Sequence, residues 1–202
     1  MTRIKLCGLS RLQEIQEANR LMPQYIGFVF APKSRRYIEP QKARELKKHL
    51  HPAIKAVGVF VNEEPKVVAE FLNSDVIDMA QLHGNEDESY ICRLRAYTNK
   101  PLIQAFSIKT RQDAEATEKS SAEYVLLDSG AGTGVPFDWK LIHGVKRPYF
   151  LAGGLGVQNV EEAVRVLKPY AVDVSSGIET DGQKDRRKMA DFVAAVRKGD
   201  QI

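Results

Sequence analysis

Cys7 stands where a short segment of alternating apolar residues ends and a turn begins at Gly8. A thiol at the end of a predicted β-strand can reach solvent, whereas a core cysteine more often lies in mid-strand. A lone cysteine is compatible with a small buried hydrophobe as well as with a nucleophile or a base. The role of Cys7 therefore depends on whether other reactive groups belong to the same end of the fold.

Asp128 ends the apolar segment 124–127 and is the second candidate for proton transfer. A carboxyl group at the mouth of an apolar strand suits a general acid. An aspartate in a loop can instead accept a hydrogen bond from a nearby backbone N–H, which is a purely structural role. The acid interpretation gains weight if Cys7 lies across the same mouth.

Two glycine-containing segments follow the last two predicted strands. Gly153 and Gly154 follow the seventh strand, and Ser175, Ser176 and Gly177 follow the eighth. Backbone N–H groups exposed by such turns, with a short helix N-terminus nearby, bind phosphate in many barrels. Each glycine could also serve only to permit a tight turn. Their occurrence after two consecutive strands favours a phosphate site.

Other polar groups at or near predicted strand ends are candidates for binding a substrate. Within the basic loop 33–36, the Arg36 guanidinium offers a planar partner for a carboxylate, although a solvated loop is the alternative. Gln81 and His83 end the fourth strand, and we expect His83 to be a hydrogen-bonded imidazole, because no second ligand lies at zinc spacing. Asp173 lies inside a buried strand, so we expect it to have hydrogen-bond partners.

Several residues are predicted to lie outside this chemistry. The glycine-rich segment 130–134 lacks the dinucleotide-binding fingerprint and is predicted to be a mobile loop over the site. Cys92 falls in mid-helix and is predicted to belong to the core. His49, His51 and His143 are predicted to be surface or loop residues.

The sequence predicts a regular alternation of strands and helices that positions these groups. Short apolar segments rich in β-branched and aromatic residues predict strands over 4–7, 25–30, 56–61, 76–82, 102–106, 124–128, 149–152 and 171–175. Helical patterns predict helices over 11–21, 41–49, 65–73, 88–97, 110–119, 157–167 and 186–198, with a short sixth helix after residues 138–140. Ser10 is the predicted N-cap of the first helix, and Thr110 with Asp113 forms a predicted capping box.

This order predicts an α/β fold in which parallel strands are joined by right-handed crossovers. A repeat of about 25 residues suits a compact (β/α)8 TIM barrel. We expect a single domain over residues 1–202, with an open eight-stranded sheet as the alternative. Active groups of such a barrel collect at the carboxyl ends of its strands, where nearly all the polar candidates fall. The sequence therefore predicts an enzyme.

Composition limits the partners and the location of the chain. Its net charge of +4 is spread over helix faces beside acidic residues, which argues against nucleic acid but allows a small phosphorylated ligand. Two cysteines are typical of a reducing cytoplasm, and the pattern predicts neither a membrane span nor a signal peptide. We expect a monomer, because the pattern indicates no long exposed apolar surface.

The strand ends resemble those of the phosphoribosylanthranilate isomerase family of tryptophan biosynthesis. The resemblance follows the family's order through all eight strands and rests on KLCG at 5–8, GFVF at 27–30, KSRRY at 33–37, VGVFVN at 57–62, QLHG at 81–84, LLD at 126–128, FDW at 137–139, LAGGL at 151–155, VDVSSGIE at 172–179 and GQKD at 182–185. It implies an Amadori rearrangement of N-(5′-phosphoribosyl)anthranilate to 1-(2-carboxyphenylamino)-1-deoxyribulose 5-phosphate. It also implies that the reaction needs no metal or redox cofactor.

The resemblance also implies a role for each main candidate. Asp128 would protonate the furanose ring oxygen as general acid, and Cys7 would remove the C2′ proton as general base. Arg36 would hold the anthranilate carboxylate, and the glycine turns would hold the phosphate. Lys5 and the field of the barrel mouth are the candidates for making the thiol basic.

Two other functions stay open at this point. One is a barrel that binds a phosphorylated ligand without catalysis. The other is a related sugar-phosphate isomerase of histidine biosynthesis. That family relies on paired aspartates at the mouth, whereas the first strand here ends in a cysteine.

Overall fold

The chain forms a closed barrel of eight parallel strands, and a computed structural model describes residues 1–129 and 138–201. The strands are β1 Arg3–Cys7, β2 Tyr25–Val29, β3 Lys55–Phe60, β4 Met79–Leu82, β5 Leu102–Ser107, β6 Tyr124–Asp128, β7 Tyr149–Leu151 and β8 Ala171–Val174. β8 pairs with β1 in a register that sets Lys5 beside Asp173, and this pairing closes the barrel. The predicted barrel is confirmed, and the alternative of an open sheet was wrong.

Helices cover the outside of this barrel. Those in the described residues are α1 Leu12–Leu21, α2 Pro40–Lys48, α3 Pro65–Asn73, α4 Glu88–Arg95, α5 Arg111–Ala116, α6 Val160–Leu167 and α7 Arg186–Gly199. Short 3₁₀ segments follow α5 at Thr117–Lys119 and precede β7 at Trp139–Ile142, the second being the predicted short sixth helix. None of the described helices is both long enough and apolar enough to cross a membrane.

A small antiparallel hairpin lies between β8 and α7, formed by β9 Glu179–Thr180 and β10 Gln183–Lys184. It follows the turn at 175–177 in the chain. The backbone N–H groups near the turn therefore belong to a loop and a hairpin, without the aligned dipole of a helix.

The N-caps predicted from the sequence are confirmed only in part. The N-cap of α1 is Arg11, so the prediction of Ser10 was wrong. The reason is Glu14, whose carboxylate accepts hydrogen bonds from the backbone N–H groups of both residues, at 2.6 Å and 3.0 Å. Glu14 thus reaches back from the first turn to the backbone at the helix start, as the N3 residue of a capping box does, and this places the N-cap at Arg11. The predicted capping box of Thr110 and Asp113 is confirmed.

Cys92 is exposed, and its predicted place in the core was wrong. The buried side of α4 is formed by Tyr90, Ile91 and Leu94. A residue one position after Ile91 turns about 100° away from that stripe, which directs it to solvent.

The barrel interior is layered, because inward-facing residues alternate along each strand. The layers toward the amino end of the strands are apolar, and they contain Tyr25, Val57, Met79, Ile103, Leu126 and Phe150. Higher up, the inward side chains become polar at Lys5, Gln81 and Asp173, of which Lys5 and Gln81 are buried. The apolar layers therefore seal the amino end of the barrel and leave reactive groups toward the carboxyl end.

Three tyrosines close the amino end of the barrel. The hydroxyl groups of Tyr25 and Tyr170 lie 3.0 Å apart, and Tyr170 donates to the hydroxyl of Tyr124 at 3.0 Å. The guanidinium of Arg3 lies over the Tyr170 ring, 4.2 Å from its centroid. These hydrogen bonds satisfy the hydroxyl groups of tyrosine rings that otherwise pack in the apolar layer.

Candidate active site

A cavity of about 240 Å³ opens at the carboxyl end of the barrel. Its lining contains nearly all the site residues predicted from the sequence, namely Cys7, Arg36, Gln81, His83, Asp128, Gly153, Gly154, Asp173, Ser175 and Ser176. Gly177 does not belong to this lining. A Cβ atom on Gly177 would lie 2.0 Å from the carbonyl oxygen of Leu155, so this glycine allows the loops after β7 and β8 to pack closely.

Cys7 ends β1 and points into the upper part of the barrel. Its side chain packs with Val29 and Val59, and the residue is 7% exposed. Gly27 on the neighbouring strand makes room for the thiol, since a Cβ atom there would lie 2.6 Å from Cys7 Sγ. Sequence reasoning missed this glycine. Its signal was a glycine in the middle of an apolar strand, which often marks a close approach.

Two ammonium groups oppose the effect of burial on the pKa of the thiol. Burial raises the pKa of Cys7, the ammonium groups of Lys5 and Lys184 lower it, and the carboxylate of Asp173 raises it. The net effect is a pKa above the ordinary value of 9.0. The fully buried Lys5, suspected from the sequence, thus lies beside the thiol.

Lys5 keeps its charge in the interior. Burial on its own lowers the pKa of Lys5, but interaction with Asp173 and Cys7 outweighs that effect, and the net pKa is raised. Its Nζ atom donates to Asp173 Oδ2 at 2.9 Å and to Gln81 Oε1 at 2.9 Å. Asp173 therefore has the hydrogen-bond partner expected from its place in a strand.

Polar contacts continue from Gln81 toward Asp128. Gln81 Nε2 lies 2.7 Å from His83 Nδ1, so His83 is hydrogen-bonded as expected. His83 Nε2 lies 3.7 Å from Asp128 Oδ2, and Ser129 Oγ donates to Asp128 Oδ1 at 3.3 Å. A row of polar groups thus extends across the barrel from the thiol of β1 to the carboxyl group of β6.

Glu179 connects the loop after β2 to the hairpin after β8. Arg36 donates from Nε to Glu179 Oε1 at 2.6 Å and from Nη2 to Oε2 at 2.9 Å. Lys184 Nζ donates to Glu179 Oε1 at 2.7 Å and to the carbonyl oxygen of Ser175 at 2.9 Å. The Nε edge of Arg36 is therefore occupied within the protein by Glu179.

The charges of this cluster perturb one another. Burial raises the pKa of Glu179, but hydrogen bonds from Arg36 and Lys184 outweigh it and leave the pKa below 4.5. Burial is also the main reason that the pKa of Lys184 is lowered from 10.5. No site role for Glu179 or Lys184 was predicted from the sequence, because the sequence does not show that the hairpin brings them to Arg36 and Ser175.

The turn after β7 brings backbone close to the acid. Gly153 and Gly154 have φ values of 80° and 65°, which lie in the left-handed region that favours glycine. A Cβ atom on Gly153 would lie 2.6 Å from the backbone nitrogen of Ser129. This glycine is therefore required for the approach of two loops, whatever it binds.

Metal ligation and the glycine-rich segment are the remaining features that bear on the site. No group of three or more His, Cys, Asp or Glu side chains in residues 1–129 and 138–201 could hold a metal ion. The glycine-rich segment 130–134, predicted to cover the site, lies outside the described residues.

Comparison with known proteins identifies the family. The model of the N-(5′-phosphoribosyl)anthranilate (PRA) isomerase family matches residues 4–195. Isomerases of this name from Thermoanaerobacter sp. (strain X514) and Clostridium acetobutylicum are 42% and 40% identical, over 98% of this chain and 98% and 99% of theirs.

Solved structures of the same enzyme have the same fold. The phosphoribosyl anthranilate isomerase of Thermotoga maritima is 35% identical with a TM-score of 0.88, over 98% of this chain and 99% of that one. The Thermus thermophilus enzyme is 33% identical with a TM-score of 0.87, over 97% and 98%. A third, 35% identical over 98% and 99% with a TM-score of 0.87, was crystallised with reduced 1-(o-carboxyphenylamino)-1-deoxyribulose 5-phosphate. The chain belongs to the N-(5′-phosphoribosyl)anthranilate isomerase family.

Proposed function

We propose that Cys7 is the general base and Asp128 the general acid of the family's reaction, the aldose-to-ketose rearrangement of N-(5′-phosphoribosyl)anthranilate in tryptophan biosynthesis. One observation carries the assignment of roles. The two groups line the same cavity from strands β1 and β6, and the sequence between them contributes no other thiol to that lining. An isomerase that opens a sugar ring and moves a proton needs one acid and one base held on either side of the substrate.

The first step is ring opening. The Asp128 carboxyl group donates its proton to the furanose ring oxygen as the bond from C1′ to that oxygen breaks. The nitrogen lone pair of the anthranilate moves into the bond to C1′ and gives a protonated Schiff base. Asp128 becomes a carboxylate, and the ring oxygen becomes a hydroxyl group.

The second step is proton abstraction. The Cys7 thiolate removes the proton from C2′, the electron pair of that bond forms a double bond to C1′, and the nitrogen regains its lone pair. The enolamine then loses its C2′ hydroxyl proton and gains a proton at C1′, which gives the ketone. A proton passes from Cys7 to Asp128 through solvent before the next turnover.

The electrostatics of the site suit a thiolate base. A raised pKa makes the Cys7 thiolate a stronger base but reduces its population at neutral pH. The Lys5 and Lys184 ammonium groups oppose that reduction. The positive Schiff base formed in the first step would add a further cation near the thiol, at the moment when the base is needed.

The two ends of the substrate require separate anion sites. Arg36 and the loops after β7 and β8 lie at the cavity, with Gly153, Gly154, Ser175 and Ser176 in its lining. We assign the anthranilate carboxylate to Arg36 and the phosphate to these loops. Holding both ends would fix the sugar between Cys7 and Asp128.

Asp173 offers a further substrate contact. Its Oδ1 atom is buried and has no hydrogen-bond partner among the described residues, whereas Oδ2 binds Lys5. A buried acceptor without a donor is costly, and a substrate N–H or hydroxyl group would satisfy it. We therefore assign Asp173 a contact with the substrate next to the base.

Two substitutions test the assignment. Cys7→Ser and Asp128→Asn should each lower kcat by about 100-fold to 10,000-fold, the usual contribution of a positioned acid or base. The assay follows the disappearance of phosphoribosylanthranilate fluorescence. Cys92→Ser is the matched control, because Cys92 is exposed on α4 and far from the cavity lining. Near-normal turnover in both site variants would refute the roles.

We further infer that the chain acts as a monomer in the cytoplasm. The proposed acid and base line one cavity within a single barrel, which supports a site that is complete in a monomer. The two free cysteines are typical of proteins from reducing compartments. Sedimentation equilibrium at micromolar concentration would reveal a dimer, a state named for the related Thermotoga maritima enzyme. Fractionation of cells that produce the chain would test its location.

A further inference from the structure

We propose that Lys5 and Gln81 hold His83 in the neutral tautomer with its proton on Nε2, so that this N–H faces Asp128. His83 is then a positioning residue that acts through the proposed acid, and the inference rests on the proposed role of Asp128. The observation behind it is a directional chain of contacts that begins at a fully buried ammonium group.

The direction of each contact follows from the first one. An ammonium group has three donors and no acceptor, so the Gln81 atom at 2.9 Å from Lys5 Nζ must be the amide oxygen. The amide nitrogen of Gln81 then points to His83 and can only donate. The atom that it meets at 2.7 Å, His83 Nδ1, must therefore be an acceptor without a proton. The proton of the neutral ring is left on Nε2.

Burial makes this orientation hard to reverse. Lys5 is 0% exposed and Gln81 is 1% exposed, so neither can exchange its contacts for water. The ion pair with Asp173 at 2.9 Å fixes the position of the ammonium group. If the Gln81 amide were rotated by 180°, its NH₂ group would face the ammonium and the hydrogen bond from Lys5 would be lost.

The other ring nitrogen faces the proposed acid. His83 Nε2 lies 3.7 Å from Asp128 Oδ2, too far for a hydrogen bond in this structure. An approach of about 0.8 Å would form one, and such contacts often tighten when substrate binds. A donor at this place stabilises the carboxylate that forms when Asp128 gives up its proton. It should therefore raise kcat more than it changes KM.

Nitrogen NMR of the histidine ring tests the tautomer directly. In the wild-type enzyme at neutral pH, we expect the Nε2 resonance of a protonated nitrogen and the Nδ1 resonance of an unprotonated one. The His83→Gln variant assigns the signals by removing one of four histidines. In Gln81→Glu, the carboxylate beside Lys5 can only accept, so His83 Nδ1 should gain a proton. A proton on Nδ1 in the wild type, or an unchanged Nδ1 in Gln81→Glu, would overturn the proposal.

A pair of substitutions tests the consequence for catalysis. The amide nitrogen of glutamine can take the place of Nε2, whereas that of asparagine lies nearer the place of Nδ1. We therefore expect kcat of His83→Asn to fall about 10-fold to 100-fold below that of His83→Gln, the effect of one hydrogen bond to a charged group, with similar KM values. His143→Gln controls for the substitution, because His143 is exposed. Equal kcat values for the two His83 variants would contradict the positioning role.

These measurements separate this inference from the proposed roles of Cys7 and Asp128. The tautomer is read in the resting enzyme and does not require turnover. If Asp128→Asn retained normal kcat, the role of Asp128 would fail while the tautomer remained measurable. If Asp128→Asn lost activity but the two His83 variants were equal, only the positioning role of His83 would fail.

Discussion

Replacement of Glu179 by glutamine should destabilise the protein by leaving two cations without their anion. The Glu179 side chain is 5% exposed, that of Lys184 is 2% exposed and that of Arg36 is 22% exposed. Arg35 also pairs with Glu179, but its side chain is 61% exposed, so its guanidinium can be solvated instead. The substitution keeps the size of the side chain and one acceptor oxygen, and it removes the charge.

The magnitude follows from the burial of the partners. Removal of one member of a buried ion pair costs about 3–5 kcal/mol, because the remaining charge is left desolvated. We expect about 3 kcal/mol, the lower end of that range, since glutamine still accepts one hydrogen bond. At roughly 2–4 °C per kcal/mol for a domain of this size, Tm should fall by roughly 6–12 °C.

Thermal unfolding followed by circular dichroism, together with urea titration, measures this loss. Glu17→Gln is the matched control, because the Glu17 side chain is 2% exposed but its partners Arg20 and Arg186 are 61% and 69% exposed. Those cations can be solvated when the carboxylate is lost, so this control should cost at most about 1 kcal/mol. Equal losses in the two variants would refute the reasoning that the burial of the partner cations sets the cost.

The effect of Glu179 should also depend on pH. The folded-state pKa of Glu179 is lowered below 4.5, so the carboxylate stabilises the fold above the unfolded-state pKa. That contribution is lost as the pH falls through the lowered folded-state value. The difference in unfolding free energy between wild type and Glu179→Gln should therefore shrink below pH 4.5.

Three further predictions concern the turn after β7, the amino end of the barrel and the thiol. Gly153→Ala should lower kcat at least about 10-fold, because its Cβ atom would lie 2.6 Å from the backbone nitrogen of Ser129. Gly182→Ala is the control, because Gly182 has a similar φ of 77° but no atom near the position of a Cβ. It should lower the unfolding free energy by only about 1 kcal/mol. Tyr170→Phe should lower the unfolding free energy by about 1–2 kcal/mol and leave kcat unchanged, since it breaks two hydrogen bonds far from the cavity. In a Cys92→Ser background, the rate of Cys7 alkylation by iodoacetamide should still rise above pH 9.0, because the pKa of this thiol is raised.

Each of these predictions has a contrary outcome. Normal kcat for Gly153→Ala would show that the loops can part without damage to the site. A loss of kcat in Tyr170→Phe would show that the two ends of the barrel are coupled. An alkylation rate that levels off well below pH 9.0 would mean that Lys5 lowers the pKa of Cys7 more than burial raises it.

Much of the fold followed from local sequence patterns. Short β-branched and aromatic segments at regular spacing gave the strands of the barrel, and β6 was predicted with its observed bounds. The fourth strand was predicted too long, because Val76 and Ile77 are buried and apolar but precede the ladder. Apolar character indicates burial, whereas strand pairing also needs a neighbour in register.

The position of the reactive groups was predictable for a related reason. In a barrel of parallel strands, the residue that ends each strand lies at the same mouth, so Cys7 and Asp128 could be placed together from sequence. The sequence predictions were wrong where another interaction or the helix geometry overrode a local rule. The hydrogen bonds from the backbone of Ser10 and Arg11 to Glu14 set the N-cap of α1 at Arg11, one residue later than predicted. A turn of about 100° from the buried stripe put Cys92 on the solvent-exposed side of α4.

The sequence by itself determined which residues reach the mouth of the barrel, because strand periodicity and strand ends are local properties. Only the tertiary structure decided which charges meet there. Arg36 and Glu179 are 143 residues apart, and Lys5 and Asp173 are 168 residues apart. Their pairing depends on the closure of β8 onto β1 and on the position of the hairpin beside Arg36. Ammonium and carboxylate groups are attracted to any opposite charge within reach, so the pairing is set by the three-dimensional fold and not by residue type.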